Sequence, residues 1–99
     1  MRCIYNTTIR IVWDESKRRR NRIEHGLEFS DAAEVFEGPT FTFEDDRFVY
    51  GESRFVTLGV LSGIPVSIVH TETTHEIRII SFRKATTREA AIYFQRLQK

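Results

Sequence analysis

The chain is poor in residues that could hold a fold together through covalent or metal bonds. Cys3 is its single cysteine, which excludes an intrachain disulfide and a thiolate metal cluster and suits a reducing compartment. Its three histidines, His25, His70 and His75, lack the spacing typical of a zinc site. We therefore predict that the protein uses neither a metal nor another cofactor.

Long apolar runs are also missing. No stretch approaches the roughly 20 apolar residues that a membrane helix needs, and the first residues lack the apolar segment of a secretory signal. A nucleotide-binding glycine loop, a nucleophile elbow, internal repeats and low-complexity tracts are absent as well. With 99 residues, 40% hydrophobic and 29% charged, the chain is expected to form one cytoplasmic domain over 1–99, with 1–8 as a loose extension.

The net charge of +1 conceals a strong segregation of charge along the chain. The formal charge is +4 over 1–27, −7 over 28–53, −1 over 54–76 and +5 over 77–99. Such a protein could bind nucleic acid with one surface and a basic partner with another. The alternative, that the two signs neutralise each other on the folded surface, fits the composition equally well.

Hydrophobic periodicity predicts an α+β domain. The predicted elements are, in chain order, a strand at 9–13, helices at 15–25 and 31–37, strands at 40–43, 54–61, 65–71 and 76–82, and a helix from 87 to about 98. Short connections between the later strands imply antiparallel neighbours. We expect an antiparallel sheet of four to five strands, in the order β-α-α-β-β-β-β-α, with helices packed on one face.

Local signals mark the ends of the predicted helices. Asp14 is a typical N-cap for the first helix and Gly26 a typical residue just past its end. Ser30 is expected to cap the second helix, and Thr86 with Glu89 forms a capping box before the last. Residues 44–47 are expected to form a polar turn, and 62–63 a hairpin turn.

Two patterns predict which side chains face the core. In the first helix only Ile23 offers itself for burial, because the basic residues over 17–22 cover more than one side. In strand 76–82, strict alternation places Ile77, Ile79 and Ser81 on one side, opposite Ile80 and Phe82.

The region from His70 to Ala85 joins an apolar strand to groups that can handle a phosphate. Arg78, Arg83 and Lys84 could hold an anion, since a guanidinium presents a planar fork that matches two phosphate oxygens. In metal-free RNA cleavage the 2′-hydroxyl attacks phosphorus, and a fixed guanidinium stabilises the charge that builds on the non-bridging oxygens. The alternative is that these residues are ordinary exposed charges at the end of a strand.

Possible proton carriers lie in the same stretch. His70, Glu72 and His75 could act as general acids or bases near neutral pH. His70 shares a strand side with Val66 and Ile68, so a packing role is the alternative, while Glu72 at a strand end could simply be solvated.

Several short segments then form one recognisable set. They are Val12-Trp13-Asp14, Lys17, Asn21, His25-Gly26, Phe29, Ala32-Ala33, Val35-Phe36, Arg54 to Gly59, His70-Thr71-Glu72, Ile77 to Ser81, Arg83, Ala85, Glu89 and Tyr93. In this order they resemble the BrnT family of bacterial toxins, which are similar to RelE-type ribonucleases. The match runs from about residue 10 to the end of the chain.

The resemblance implies a RelE-like fold and a metal-independent endoribonuclease that inhibits translation. It also implies a cognate BrnA-like antitoxin with a ribbon-helix-helix DNA-binding pattern, which neutralises the toxin and carries the complex to operator DNA. By similarity, catalysis falls on Arg78 and Arg83. We expect Glu72 or His70 to act as the base and Tyr93 or a histidine to assist the leaving group.

The remaining predicted contacts lie around these residues. We expect RNA to be bound by Lys84, Arg88, Trp13 and Lys17. We expect the antitoxin to contact Arg18, Arg19 and Arg22 on the basic helix. For Trp13 and Tyr93 a core position is the alternative, and for the basic helix a solvated surface.

One position departs from the family pattern. Thr73 stands where the family often has an arginine after Thr71-Glu72. A second hypothesis therefore stays open, in which the protein is a catalytically weak or inactive module that binds the antitoxin and acts as its co-repressor.

Overall fold

The computed structural model describes residues 9–45 and 53–97. Its elements are β1 (Arg10–Trp13), α1 (Glu15–His25), a 3₁₀ turn (Phe29–Asp31), α2 (Ala32–Glu37), β2 (Phe41–Asp45), β3 (Arg54–Leu61), β4 (Ile64–Glu72), β5 (Glu76–Lys84) and α3 (Thr87–Leu97). The predicted α+β class and element order are confirmed. The extension expected at 1–8 and the loop expected at 46–52 lie outside the described residues.

Five strands form one sheet in the order β1-β5-β4-β3-β2. The three pairs joined by short connections, β2–β3, β3–β4 and β4–β5, are antiparallel as predicted. β1 adds a parallel edge strand beside β5. The hairpin turn predicted between β3 and β4 is confirmed, since Ser62 (φ 52°) and Gly63 (φ 81°) both adopt the left-handed conformation of a type I′ turn.

Most of the predicted helix ends are confirmed. The Asp14 carboxylate accepts from the first N–H groups of α1, Gly26 ends that helix at φ 73°, and Thr86 and Glu89 exchange the two hydrogen bonds of a capping box. The expected cap at Ser30 is wrong. The 3₁₀ turn precedes α2 there, and α2 begins with no side-chain cap because main-chain carbonyls already accept the N–H groups of this turn.

β2 extends two residues into the region expected to be a polar turn. Glu44 and Asp45 belong to the strand because they pair with Phe55 and Arg54 of β3. That prediction of a turn starting at Glu44 is wrong, and the rest of the expected turn lies outside the described residues.

The helices cover both faces of the sheet, so the prediction that they cover one face is wrong. On one side, here called the α2 face, Val66 and Ile68 of β4 pack with α2 and the 3₁₀ turn. On the other, the α3 face, Val56 and Leu58 of β3 pack with Tyr93 of α3. The central strands carry apolar side chains on both faces of the sheet, and each apolar face must be buried.

A β-bulge interrupts the alternation of β5. Across from β4, Ser81 pairs with Val69 and Ile79 pairs with His70, so that Ile80 is an extra residue.

The bulge changes which side chains of β5 enter the core. Phe82 lies on the α2 face with Ile77 and Ile79, fully buried, and the predicted grouping of Ser81 with those isoleucines is wrong. Arg83 is correspondingly carried to the α3 face.

The helix α1 docks through an amide rather than through an apolar side chain. Ile23 is 85% exposed, so its predicted burial is wrong, whereas Asn21 is 4% exposed. The Phe82 N–H donates to Asn21 Oδ1 (3.0 Å), and Asn21 Nδ2 donates to the carbonyls of Phe82 (2.7 Å) and Leu27 (3.2 Å). Since β1 ends opposite Ile79, Asn21 continues the pairing of the β5 edge beyond the bulge.

We expect Asn21→Ala to lower the free energy of unfolding by about 2–4 kcal/mol, because both main-chain groups of buried Phe82 lose their partner. Asn21→Asp, which keeps the acceptor and loses the donor, should fall in between. Urea unfolding followed by circular dichroism measures the change. The exposed neighbour Arg20→Ala should change stability by no more than about 0.5 kcal/mol, and an equal loss in both variants would contradict the pairing.

Candidate functional site

The α3 face of the sheet is only partly covered, and its open part forms a groove. Phe43, Val56 and Val69 lie opposite one another across three strands and form its floor. This central groove has a volume of about 310 Å³. Its lining consists of Phe43, Glu44, Asp45, Val56, Val69, Arg83 and Glu89.

Arg83 is the cation of this groove. It leaves the end of β5 on the α3 face, and its side chain is 32% exposed. Its Nη1 and Nη2 donate to the two carboxylate oxygens of Glu89 at 2.8 and 3.0 Å, and Nη1 also donates to the Lys84 carbonyl at 3.2 Å. The guanidinium is therefore held at the mouth of the groove by contacts in two directions.

The carboxylate of Glu89 contacts both Arg83 and the start of α3. It binds Arg83 and also accepts from the Thr86 N–H (2.9 Å), which starts α3. Burial alone would raise the pKa of this carboxyl, but the hydrogen bonds from Arg83 and from the Thr86 main chain outweigh burial and bring the pKa below its ordinary value. Glu89 is therefore ionised at neutral pH.

Arg78 lies on the same face as Arg83 but at the other end of β5. It is exposed and pairs with Thr71, whereas Arg83 pairs with Ser67. Those partners are four residue positions apart on β4, or about 13 Å along the strand. The structure thus places both predicted phosphate-binding arginines on one surface without bringing their main chains together.

His70 and Glu72 lie on the opposite side of the sheet. His70 is fully buried on the α2 face, where Phe36 meets its ring edge-on. Its Nε2 lies 2.7 Å from the Thr57 hydroxyl, and its Nδ1 lies 3.4 Å from a Glu72 carboxylate oxygen. Because the sheet stands between them and the arginines, neither predicted proton carrier reaches the central groove.

Tyr93 does not reach the groove either. The residue is 1% exposed, and its hydroxyl donates to the Pro39 carbonyl at 2.8 Å. Burial raises the pKa of this phenol. The side chain joins α3 to the segment before β2, which is the core position that the sequence left open as an alternative.

The residues predicted to bind RNA fall in two places. Lys84 and Arg88 are exposed on either side of the β5–α3 turn. Lys17 is exposed in a second groove of about 230 Å³ between α1 and the bulge of β5, which is lined by Lys17, Arg20, Asn21, Glu24, His25, Ile80 and Ser81. Trp13 is half-buried and meets Phe29 edge-on, so its ring contributes to the core.

The residues predicted to bind the antitoxin lie on α1. Arg18 forms ion pairs with Glu15 and Glu28, and Arg22 forms one with Glu28. Arg19 is exposed. Part of the charge of this helix is therefore balanced within the protein.

The described residues hold neither a cluster of metal ligands nor a helix that could span a membrane. Over 9–45 and 53–97, no three His, Cys, Asp or Glu side chains are placed to share a metal ion. None of the helices in these ranges has the length and apolar character needed to cross a membrane.

Sequence reasoning missed the partner of Arg83. Glu89 was predicted only as half of a capping box, although that box fixes its carboxylate within reach of the end of β5. An arginine at the end of a strand, three residues before the N-cap of a capping box, is a signal that could have suggested the pair.

The fold is shared with a known class of proteins, ribonuclease toxins. A solved structure of the Brucella abortus ribonuclease toxin BrnT matches with a TM-score of 0.65 and 29% sequence identity, covering 81% of this chain and all of that one. A comparison with curated protein sequences finds no match.

A family model places the chain more closely. The model described as the ribonuclease toxin BrnT of type II toxin–antitoxin systems matches residues 13–89. The chain belongs to this family, and the resemblance drawn from its sequence is confirmed. Membership implies a cognate antitoxin as a partner.

The ionised Glu89 should make stability depend on pH. Because its pKa is lowered on folding, its contribution is present above the unfolded pKa and is lost as the pH falls through the folded value. We expect wild type to have a higher Tm than Glu89→Gln at pH 7 and the difference to shrink below about pH 4.5. Thermal unfolding from about pH 3 to pH 7 tests this.

Thr86→Ala is the matched control, since it weakens the same helix start without removing a charge. Because the Thr86 hydroxyl is the smallest of the contacts that lower the pKa of Glu89, the Tm deficit of this variant should change with pH much less than that of Glu89→Gln. A constant deficit for Glu89→Gln would mean that the carboxylate has no lowered pKa.

Proposed function

We propose that this protein is an endoribonuclease that cleaves RNA without a metal, inhibits translation in the cytoplasm and is neutralised by its cognate antitoxin. The observation that carries the proposal is Arg83, a guanidinium fixed at the mouth of an open groove on the sheet of a BrnT-family fold. Arg78, Lys84 and Arg88 add exposed positive charge to the same strand and the turn after it.

The chemistry that this arrangement supports is electrostatic. The RNA 2′-hydroxyl attacks the adjacent phosphorus, the P–O5′ bond breaks, and a 2′,3′-cyclic phosphate and a 5′-hydroxyl result. Negative charge grows on the non-bridging oxygens in the transition state, where Arg83 would stabilise it more than in the substrate. Arg78 would bind a neighbouring part of the strand.

Proton transfer is assigned to none of the four carriers predicted from the sequence, because none of them lines the central groove. His75 is exposed in the connection between β4 and β5. His70 and Tyr93 are buried, and Glu72 lies on the α2 face with His70. The rate enhancement would then come mainly from orientation and charge stabilisation, with water exchanging the protons.

RNA would approach Arg83 from the β5–α3 turn, where Lys84 and Arg88 are exposed, since Glu44 and Asp45 make the β2 side of the central groove acidic. Lys17 lies in the second groove beside the bulge, where a more distant phosphate would bind. Trp13, half-buried against Phe29, would contribute a ring edge at most.

The antitoxin is proposed to bind α1. This helix carries Arg18, Arg19 and Arg22, and Ile23 is 85% exposed beside them, which suits a partner with acidic and apolar side chains. The antitoxin would be BrnA-like, with a ribbon-helix-helix fold that binds operator DNA for the complex.

The second candidate function is that of a binding module without catalytic activity. No predicted proton carrier faces the groove, and Glu89 neutralises part of the charge of Arg83. The protein would then be a binding module that acts only with its antitoxin as co-repressor.

Cleavage of a synthetic RNA in excess chelator by purified protein separates the two functions. We expect Arg83→Ala to cut about 10²–10³-fold more slowly than wild type, the usual loss when one transition-state donor is removed. Arg83→Lys should recover little, since an ammonium lacks the planar fork. Arg19→Ala, which removes an exposed arginine from α1, is the control and should cut like wild type.

Equal rates for wild type and Arg83→Ala would exclude Arg83 from catalysis, and cleavage that stops on chelation would exclude a metal-free mechanism. No cleavage by any form, together with retained antitoxin binding, would favour the binding module.

The antitoxin surface has its own test. We expect Arg19→Glu to weaken binding to the antitoxin encoded beside this gene by about tenfold, and the loss to shrink in high salt because the contact is exposed. Lys84→Glu changes the net charge equally on another surface and should bind like wild type in isothermal titration calorimetry. A larger loss for Lys84→Glu would move the interface to the groove.

A further inference from the structure

We propose that Glu89 is a positioning residue that turns the guanidinium of Arg83 so that its free edge faces the substrate phosphate. This inference rests on the proposed ribonuclease function. It assigns to Glu89 a role in the reaction in addition to its place in the capping box of α3.

The geometry follows from the five N–H groups of the guanidinium. Glu89 accepts one from Nη1 and one from Nη2, and the Lys84 carbonyl accepts the second from Nη1. The Nε–H and the second N–H of Nη2 remain. Among the described residues neither donates a hydrogen bond.

These two remaining N–H groups lie on one edge of the guanidinium plane and point in parallel. That edge is the fork that binds two oxygens of a phosphate. Because Glu89 uses the end of the guanidinium and leaves this side edge free, the carboxylate orients Arg83 without occupying its phosphate-binding edge. A carboxylate that blocked the site would take the side edge itself.

The Glu89 carboxylate can orient Arg83 because hydrogen bonds to Thr86 hold it in place. Its Oε1 accepts from the Thr86 N–H at 2.9 Å, and the Glu89 N–H donates to the Thr86 hydroxyl at 3.1 Å. Glu89 is also only 20% exposed. The rigid start of α3 thereby sets the orientation of a side chain on β5.

Two variants separate positioning from helix stability. Glu89→Gln keeps an oxygen that can accept the Thr86 N–H, so the capping box survives while the charged clamp on Arg83 is lost. Thr86→Ala loses the other capping hydrogen bond and leaves the Arg83–Glu89 pair in place. Helix stability should suffer in Thr86→Ala, whereas the orientation of Arg83 should suffer in Glu89→Gln.

We expect Glu89→Gln to lower kcat for RNA cleavage by about 10- to 100-fold, the effect of a small misplacement of a catalytic group. Its KM should stay equal or fall, since a negative charge near the RNA is removed. Thr86→Ala keeps the charged Arg83–Glu89 pair and loosens only the start of α3, so its loss of kcat should be much smaller than that of Glu89→Gln. Faster cleavage by Glu89→Gln would show that the carboxylate is inhibitory and would overturn the inference.

The Nε–H resonance of Arg83 gives a readout that does not need activity. It is assigned by its disappearance in Arg83→Ala, and should be sharp and slowly exchanging in wild type and Thr86→Ala but averaged in Glu89→Gln. Adding inorganic phosphate should shift it in wild type.

The outcomes distinguish the two claims. If wild type cleaves RNA, Arg83→Ala does not, and Glu89→Gln cuts like wild type, positioning is refuted while the ribonuclease stands. If wild type does not cleave, the ribonuclease proposal fails, and an unchanged Arg83 resonance in Glu89→Gln would refute positioning as well.

Discussion

The extra residue in β5 decides what this sheet presents on each side. Side chains alternate along a strand, so an insertion of one residue exchanges the faces of all that follow. With strict alternation, Arg83 would point with Ile77 and Ile79 into the core under α2, and Phe82 would be exposed beside Arg78. The bulge at Ile80 reverses both outcomes, and the apolar ring is buried while the guanidinium reaches the groove.

The same bulge explains how α1 is attached. β1 stops pairing at Ile79, just before the bulge, and the outer edge of β5 is left with main-chain groups to satisfy. Asn21 supplies a donor and an acceptor from one side chain and replaces the missing strand residue. A highly charged helix is thereby fixed without an apolar stripe, which leaves its basic residues and Ile23 on the surface.

Helices cover both faces of the sheet, and the buried histidine and the arginines lie on opposite sides of it. The α2 face encloses His70 and the Thr57 hydroxyl, which are fully buried, so RNA cannot reach this imidazole. The α3 face keeps the arginines, because α3 crosses only part of it. A groove lined by one fixed guanidinium and no imidazole suits the proposed charge stabilisation better than proton transfer, and Glu89 supplies the rigidity of Arg83 that such a mechanism needs.

The sequence by itself determined the class of the fold, most element boundaries, the hairpin turn, the capping box and the family. These depend on contacts between residues close in the chain or on the order of short motifs. Only the tertiary structure decided that Phe82 is buried, that Asn21 and not Ile23 anchors α1, and that His70 and Glu72 are separated from Arg78 and Arg83. These outcomes depend on strand register and on which face a helix covers, and both are set by pairing between residues far apart in the sequence.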